Sequence, residues 1–389
     1  MDLARLAAVN ILPDFKQDLD RSLIPQIQRF WTKINERQLH FMGVPGFETY
    51  DTDGDEALGR DVEFFHFSIC ADARMRYLGE NFVLNDDQLL DPVNKLSNAV
   101  VAHLYGGRRI YSLFTGVTDP RKAYLDFSRV GSDPDYVRMV RSNAEYAKLH
   151  GFKFYGTTEL HTSLQTAARN FCRDKYGDPG RPASNVDIIE WIASWRDKGL
   201  FEALLGATSL GETFEHIKSL PGVGAYYGYH LAVDCSLFPF TRYHHDEPFC
   251  VPGGGCQTTL KMLFPRLTAS KKFPFGEAVV WIEQNQKDLF PTLQFHPALW
   301  NIERDGKKVF PFEQNKLMVY GLEVGLCQFG VYCHLKKNPH LIERRKVGVD
   351  PDLTPLILRE QGAPVTPEEL RELQSEAAAP TATKGLLEF

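Results

Sequence analysis

The sequence lacks an excess of positive charge. Among its 389 residues, 44 Lys and Arg stand against 50 Asp and Glu, which gives a formal net charge of −6. A protein that coats DNA without regard to sequence depends on Lys and Arg to neutralise phosphates. The composition therefore excludes a general DNA coater, and any binding to DNA must use a local basic face and a specific pocket.

Disulfide and targeting patterns are also missing. The seven cysteines are scattered without a C-x-x-C pair, which is typical of reduced intracellular thiols. The first residues show no basic segment followed by an apolar run, so no signal peptide is expected. Leu317–Leu335 has one charged residue in 19 positions, but Gln328 and His334 within it favour a buried helix over a membrane span. We expect a cytoplasmic protein with no membrane partner.

Alternating β-type patterns are scarce, and helical spacing of apolar residues dominates. The sequence predicts a mostly α fold with an N-terminal helical extension and loop at 1–61, a principal helical domain at 62–340, and a basic segment with a disordered tail at 341–389. A loop is predicted at 43–61. Helices are predicted at 14–42, 62–84, 91–116, 135–150, 157–176, 185–196 and 198–205.

The most informative motif is Leu220-Pro-Gly-Val-Gly224, which is followed by a helical pattern up to Asp234. This pattern is typical of a helix-hairpin-helix, here at 217–234, in a DNA-glycosylase-like helical fold. Its glycines allow a tight turn, and the amides at the start of the second helix can hold a DNA phosphate. The predicted DNA-binding residues are Gly222, Val223, Gly224 and Tyr226. A purely structural turn between two packed helices is the alternative.

Base-excision glycosylases carry the same hairpin with an Asp roughly 20 residues beyond it, and Asp246 lies 22 residues after Gly224. The lyase branch needs a Lys just after the hairpin glycines to form a Schiff base. Tyr226 stands at that place, and the next Lys is Lys261. A lyase is therefore not expected.

The following block combines an acidic pair, Asp246 and Glu247, with the glycines 253–255. Its amides could hold a phosphate or pyrophosphate, and a solvated loop without chemistry is the alternative reading. The spacing of its two His and two Cys matches no common zinc site, so no metal and no cofactor are predicted.

Three late blocks resemble a known family: G-V-G-x-Y-x-x-Y-H-L-A-V-D at 222–234, D-E-x-F-x-V-P-G-x-G at 246–255, and Glu323-x-x-x-Cys327-Gln328-x-x-x-Tyr332. With a looser early block, Asp72-x-Arg74, they span about residues 62–335. They resemble the α-glutamyl/putrescinyl thymine pyrophosphorylase family of bacteriophage thymidine hypermodification, which shares its helical module with the 5-hydroxymethyluracil DNA kinases.

The sequence departs from the family pattern at several positions. Gln328 replaces the second acid of the late block, Val331 replaces the Lys before Tyr332, and the loop reads G-G-G instead of G-P-G. Ile69 or Cys70 stands where a basic residue is usual before Asp72. These changes concern the substrate more than the fold.

The resemblance implies a transferase. In such systems a kinase pyrophosphorylates 5-hydroxymethyluracil within DNA, and an amino acid or amine then displaces the pyrophosphate. The sequence contains no G-x-x-x-x-G-K-[ST] motif, which favours this second role over that of the kinase. The implied partners are double-stranded DNA containing modified uracil, an amino acid or polyamine, a hydroxymethyluracil DNA kinase and a PLP enzyme.

Glu323 is the leading candidate for the base or ammonium binder, because it is the lone carboxylate of an apolar run. A Glu buried against a structural Arg is the alternative. Asp246, Glu247 and Asp234 are further catalytic candidates. The predicted substrate-binding residues are Asp72, Arg74, Arg242, Gly253, Gly254, Gly255, Cys327 and Tyr332.

Two rival functions remain open at this point. One is a monofunctional DNA glycosylase, which needs one carboxylate and a flipped base. The other is a non-catalytic DNA-binding module that recruits a kinase or decarboxylase.

Overall fold

A computed structural model describes most of the chain between residues 14 and 343. The described residues are 14–59, 62, 64, 73–85, 90–105, 110–117, 119, 121–150, 152, 154, 162–269, 272–299, 302–304, 307–309 and 316–343. Regular structure within them is almost entirely helical, which confirms the predicted mostly α class. The predicted tail after 343 lies outside the described residues.

The α-helices, in chain order, are α1 Phe15–Asp18, α2 Ile24–Phe41, α3 Ala73–Leu78, α4 Pro92–Tyr105, α5 Ile110–Thr115, α6 Phe127–Val130, α7 Pro134–Leu149, α8 Thr162–Tyr176, α9 Asp187–Asp197, α10 Leu200–Gly206, α11 Leu210–Lys218, α12 Ala225–Cys235, α13 Gly254–Leu263, α14 Phe275–Leu289 and α15 Val319–Lys337. A π-helical turn covers Gly79–Val83, and 3-10 turns cover Arg21–Leu23, Glu56–Leu58, Leu267–Ala269, Pro297–Leu299 and Pro339–Leu341. Strands β1 Ile302–Arg304 and β2 Lys307–Val309 pair antiparallel with Ile302 opposite Val309.

Most predicted helices are found with adjusted ends. The prediction of one helix at 62–84 is wrong, because Val62 is a bridge residue and Phe64 is not helical, and the described helical structure begins at Ala73. The run predicted at 14–42 contains α1, a 3-10 turn and α2. The run predicted at 135–150 is α7, and the segment 43–61 is irregular apart from the 3-10 turn Glu56–Leu58. The run predicted at 91–116 contains two helices, α4 and α5, on either side of residues 106–109, which are outside the described set.

The chain divides into two compact units. The described residues of the first unit come from 14–85 and 202–343, and those of the second come from 90–201. The N-terminal segment predicted as an extension is thus grouped with the hairpin and with α15, whereas the sequence suggested a boundary near residue 61. The assignment of 62–340 as one catalytic domain stays a prediction.

Helix α15 is the central element of the first unit, and its first three turns are buried on nearly every side. This burial explains why the segment is apolar. No described helix has both the length and the hydropathy needed to cross a membrane.

Helices α13 and α15 approach each other very closely through glycine. A Cβ on Gly330 would lie 2.6 Å from the carbonyl oxygen of Gly255, and one on Gly255 would lie 2.6 Å from the Cys327 Sγ. Thr259 of α13 donates its hydroxyl to the Leu326 carbonyl at 2.7 Å. The contact therefore depends on the missing side chains at both glycines.

Hydrogen bonds fix α15 at three levels. Gln286 of α14 bonds both the N–H and the carbonyl of Leu317, each at 2.8 Å, just before the helix begins. The indole of Trp31 in α2 donates to the Gly325 carbonyl at 3.0 Å. Near the far end, the hydroxyl of Tyr332 donates to Asp55 at 2.7 Å.

The second unit holds its loops with buried polar side chains. Asn98 of α4 receives the N–H of Leu125 at 3.0 Å and donates to the Leu125 carbonyl at 2.9 Å. The buried Glu190 of α9 pairs with Arg141 at 2.6 Å and with Lys175 at 2.9 Å. Burial by itself raises the pKa of Glu190, but the hydrogen bond from the Tyr176 hydroxyl and the two cations hold this pKa below its usual range.

We expect Gly330→Ala to destabilise the protein, because the added methyl group meets the backbone of Gly255 and neither helix can yield locally. The loss should be about 1–3 kcal/mol, as for other overpacked cores. Thermal or denaturant unfolding measures it.

Gly206→Ala is the matched control, because nothing lies within 4 Å of its Cβ position. This change should be neutral or slightly stabilising, since Ala favours a helix over Gly. Equal stability of the two variants would show that α13 and α15 are not in such close contact.

Candidate functional site

The predicted hairpin segment forms two packed helices joined by a short turn. Helices α11 and α12 are connected by residues 219–224, in which Gly222 has a positive φ of 80°. This left-handed conformation suits glycine, which explains the residue at the centre of the motif. Val223 is buried and anchors the turn, whereas Gly222 and Gly224 are exposed.

Helix α12 presents its N-terminus at the surface. Gly224 is the N-cap residue and makes no side-chain cap, and the next two residues, Ala225 and Tyr226, are exposed. The first-turn amides of a helix have no carbonyl partner within the helix, and its dipole favours an anion there. The geometry therefore suits an anion, and the binding of a DNA phosphate at this turn stays a prediction.

Glu323 lies at the centre of the site and is completely buried, with 0% of its side chain exposed. Its Oε1 accepts the N–H of Gly253 at 2.9 Å, and its Oε2 lies 3.4 Å from the Nε2 of His230. Burying a carboxylate is costly unless hydrogen bonds or a cation compensate. Here the compensation comes from a helix N-terminus and an imidazole, where the sequence left open a structural Arg.

An aromatic layer surrounds this pair. The rings of Tyr226 and His230, one turn apart on α12, have centroids 4.2 Å apart, and Tyr320 meets His230 edge-on at 5.3 Å. A Cβ on Gly253 would lie 2.4 Å from the Tyr226 ring. The absence of a side chain at Gly253 therefore lets the Tyr226 ring rest directly on the loop backbone.

Titratable groups near Glu323 stay neutral. Tyr226 is 38% exposed as a residue, but its phenol group lies at the buried end of the side chain. This burial, together with the nearby Glu323 and Cys327, raises the pKa of Tyr226 well above its ordinary value. Burial likewise raises the pKa of the Cys250 and Cys256 thiols. Since the thiolate is the reactive form of cysteine, neither thiol is suited to nucleophilic catalysis.

The glycine loop forms the start of α13. Gly253 is its N-cap residue and donates its N–H to Glu323, so this amide is already used within the protein. Gly254 is exposed, with open space at its Cβ position, and Gly255 packs against Cys327. The amides of Gly254 and Gly255 belong to a first helical turn and are oriented to receive an anion.

The acidic pair, Asp246 and Glu247, is more exposed to solvent than the buried Glu323 carboxylate. Asp246 is exposed, and so is Arg242. Glu247 receives the N–H of Leu210 at 2.8 Å and that of His244 at 3.0 Å, so it links its own loop to the start of α11. These contacts suit a structural role for Glu247, and its predicted catalytic role stays a prediction.

The structure brings some predicted residues together and separates others. Tyr226, Gly253, Glu323 and Cys327 form one cluster. Tyr332 instead bonds Asp55 and stacks on Phe30, with ring centroids 5.0 Å apart. It lies nine residues beyond Glu323, which is about 13 Å along a helix.

The remaining candidates are less informative. Asp234 is completely buried on α12, one turn beyond His230. Asp72 lies outside the described residues, and nothing is described of the Arg74 side chain. Within the described chain, no three His, Cys, Asp or Glu side chains are grouped so that they could hold a metal ion.

Sequence reasoning missed His230 as the partner of Glu323, and it missed Tyr320. The spacing of Tyr226 and His230, four residues apart, places them on one helix face and was available in the sequence. Their proximity to α15 was not, because it depends on tertiary packing.

Residues 148–340 match the family model described as 5-hmdU DNA kinase, helical domain. The match links this chain to hydroxymethyluracil DNA modification. It covers the hairpin, the glycine loop and the whole of α15, which are the segments that form the site. No significant match to a curated protein or to a solved structure was found.

His245 lies in the acidic loop, immediately before Asp246. The stability of the protein should depend on pH through this histidine. Burial lowers the pKa of this histidine from 6.5 to about 4. Its stabilising contribution is therefore complete above pH 6.5, the value for the unfolded chain, and is lost as the pH falls towards 4. The free energy of unfolding should fall by up to about 1.4 kcal/mol per pH unit from this group.

The His245→Gln variant should lack this component. Denaturant unfolding of both proteins at several pH values between 4 and 8 measures the difference, which should shrink as the pH falls. A difference that stays constant over this range would contradict the neutral state of His245.

Proposed function

We propose that this protein is a DNA base-modifying transferase, which joins an amino acid or amine to the 5-methylene carbon of 5-pyrophosphoryloxymethyluracil in DNA and releases pyrophosphate. The observation that carries the proposal is the buried Glu323, held by Gly253 and His230 directly beside the hairpin helix α12. The match to the helical domain of 5-hmdU DNA kinases supports the modified base as substrate.

The chemistry needs a proton acceptor. The incoming amine is an ammonium ion at neutral pH, and the Glu323 carboxylate takes one of its protons. The freed nitrogen lone pair forms a bond to the methylene carbon, while the carbon–oxygen bond breaks and its electron pair leaves with pyrophosphate. The new secondary ammonium keeps both of its protons or releases one of them to water, and the protonated Glu323 returns its proton to water. His230, 3.4 Å from Glu323, stabilises the carboxylate and orients it.

Two helix N-termini would hold the anions. The first-turn amides of α12 suit a phosphate of the DNA backbone, and those of Gly254 and Gly255 suit the departing pyrophosphate. Arg242, which is exposed, is a further donor for pyrophosphate. This division leaves Gly253 as the residue that positions Glu323.

A second function has one observation in its favour. Both carboxylate oxygens of Glu323 face groups of the protein, and none of its surface is exposed. A glutamate in this state could serve only the structure, and the protein would then be a DNA-binding module of a hydroxymethyluracil modification system.

The decisive experiment incubates the protein with hydroxymethyluracil DNA, a hydroxymethyluracil DNA kinase, ATP and a mixture of amino acids and polyamines. Nucleoside mass spectrometry should find a new, heavier nucleoside. Unchanged nucleosides with tight DNA binding would support the binding module, and abasic sites would support a glycosylase.

The Glu323→Gln variant should fold normally, because its side-chain oxygen can still accept the Gly253 N–H, but it should lose proton acceptance. We expect transfer to fall by about 10²–10⁴-fold, the usual contribution of a general base. Asp246→Asn tests the exposed acid in the same assay.

Glu190→Gln is the matched control, because Glu190 is equally buried but belongs to the other unit. Its thermal unfolding separates stability from activity. Full transfer by Glu323→Gln would exclude Glu323 as the base.

Substitution by proline at the first position of α12 or of α13 tests the two proposed anion sites one at a time. Ala225 and Gly254 each follow a glycine in extended conformation, with ψ of 166° at Gly224 and 171° at Gly253. Proline is tolerated after such a residue and at the first position of a helix, where it removes one N–H.

Ala225→Pro should weaken DNA binding about tenfold or more, since a hydrogen bond to a charged group contributes about 1.5–3 kcal/mol. Gly254→Pro should leave DNA affinity unchanged and slow the transfer. Fluorescence anisotropy and the transfer assay measure the two effects, and a reversal of the pattern would overturn the assignment of the two sites.

A further inference from the structure

A substrate cannot reach the Glu323 carboxylate in this conformation, because the carboxylate has no exposed surface. Of the side chains clustered around it, Tyr226 is the most exposed, at 38%, whereas His230 and Tyr320 are buried. Something must move before a base or an amine can touch the carboxylate. Tyr226 is the side chain whose displacement disturbs the core least.

We propose that the ring of Tyr226 stands in for the target base: when DNA binds, the flipped pyrimidine takes the place of this ring against His230, and the tyrosine turns outward. This proposal rests on the proposed function and deepens it, because it names the base-binding subsite. A flipped base needs a flat, aromatic-lined slot near the reacting groups.

The slot has the shape of one flat ring. On one side the His230 imidazole lies with its centroid 4.2 Å from that of Tyr226 and its plane tilted by 49° to it. On another side the backbone of Gly253 is so close that a Cβ would lie 2.4 Å from the ring. A six-membered pyrimidine ring is no thicker than a phenol ring, so the space that accommodates one accommodates the other.

The surroundings of the slot also suit a base with polar edges. Tyr226 interacts electrostatically with Glu323 and Cys327, so polar groups lie in its neighbourhood. Tyr320 packs edge-on against the imidazole, with centroids 5.3 Å apart. The slot thus combines aromatic surfaces with nearby polar groups.

The position of Tyr226 in the chain links base entry to DNA binding. Its backbone N–H belongs to the first turn of α12, the proposed phosphate site, while its side chain packs on His230 and Gly253, the two residues that contact the Glu323 carboxylate. One residue therefore touches both parts of the DNA. Rotation of its exposed side chain opens the slot, and α12 itself stays in place.

The first test uses the free nucleoside and the full-length protein. Tyr226→Ala should leave the slot empty, so that 5-hydroxymethyl-2′-deoxyuridine binds to this variant at least tenfold more tightly than to the wild type. Saturation-transfer NMR and a competition titration measure the binding. The control is Phe41→Ala, which removes another exposed ring of the same unit, 53% exposed, and should leave nucleoside binding as in the wild type.

Equal nucleoside binding by the wild type and Tyr226→Ala would overturn the proposal, because the ring would then not occupy the base subsite. Binding by Tyr226→Ala that the Glu323→Gln substitution does not alter would overturn the placement of the slot next to the carboxylate. A thermal unfolding curve for each variant shows that the fold is retained.

The second test follows the ring itself. With 3-fluorotyrosine at position 226, the ¹⁹F resonance should move towards its solvent-exposed value when the protein binds a duplex with mismatched 5-hydroxymethyluracil. It should not move with the same duplex carrying an abasic site, which offers the phosphates without a base.

The two duplexes distinguish failure of the stand-in role of Tyr226 from failure of the proposed DNA-modifying function. Binding of both with the same shift, or with no shift, would overturn the stand-in role and leave the proposed DNA-modifying function intact. Absence of binding to either duplex would overturn the proposed function, and the stand-in role with it.

Discussion

The close approach of α13 and α15 is the constraint on which the site depends. Gly255 and Gly330 allow the two helices to touch through their backbones, and this places the start of α13 against the side of α15. The Gly253 amide can then reach a carboxylate that α15 carries into the interior. A bulkier residue at either glycine would push the amide away and leave a buried charge with less compensation.

The two units bury a glutamate in different ways. Glu190 receives two cations that are themselves partly exposed, so that its pKa falls and its charge is satisfied within the protein. Glu323 receives one backbone amide and a histidine. Among the described residues no Lys or Arg is paired with Glu323. Under the proposed function, the ammonium ion of the incoming amine would supply the cation that Glu190 already has within its own unit.

The sequence predicted the helical class, the position of most helices, the turn at Gly222 and the burial of Glu323, because each depends on local periodicity or on an unusual residue in its context. It did not predict that His230 faces Glu323, since two segments 93 residues apart meet only in the tertiary structure. The separation of Tyr332 from the cluster was hidden for the same reason. The block from Glu323 to Tyr332 lies on one helix, and its sequence does not show that the two ends of the block contact different parts of the protein.

The three anchors of α15 have a consequence for where movement can occur. Gln286, Trp31 and Asp55 bind the helix before its start, in its middle and near its end, so it can neither slide nor turn. The Glu323 carboxylate is therefore held in one place by its helix, and under the proposed function the parts that move would be the nucleotide and the Tyr226 ring. A site of this kind would require the DNA to deform, so DNA that resists deformation would be rejected before any bond is made.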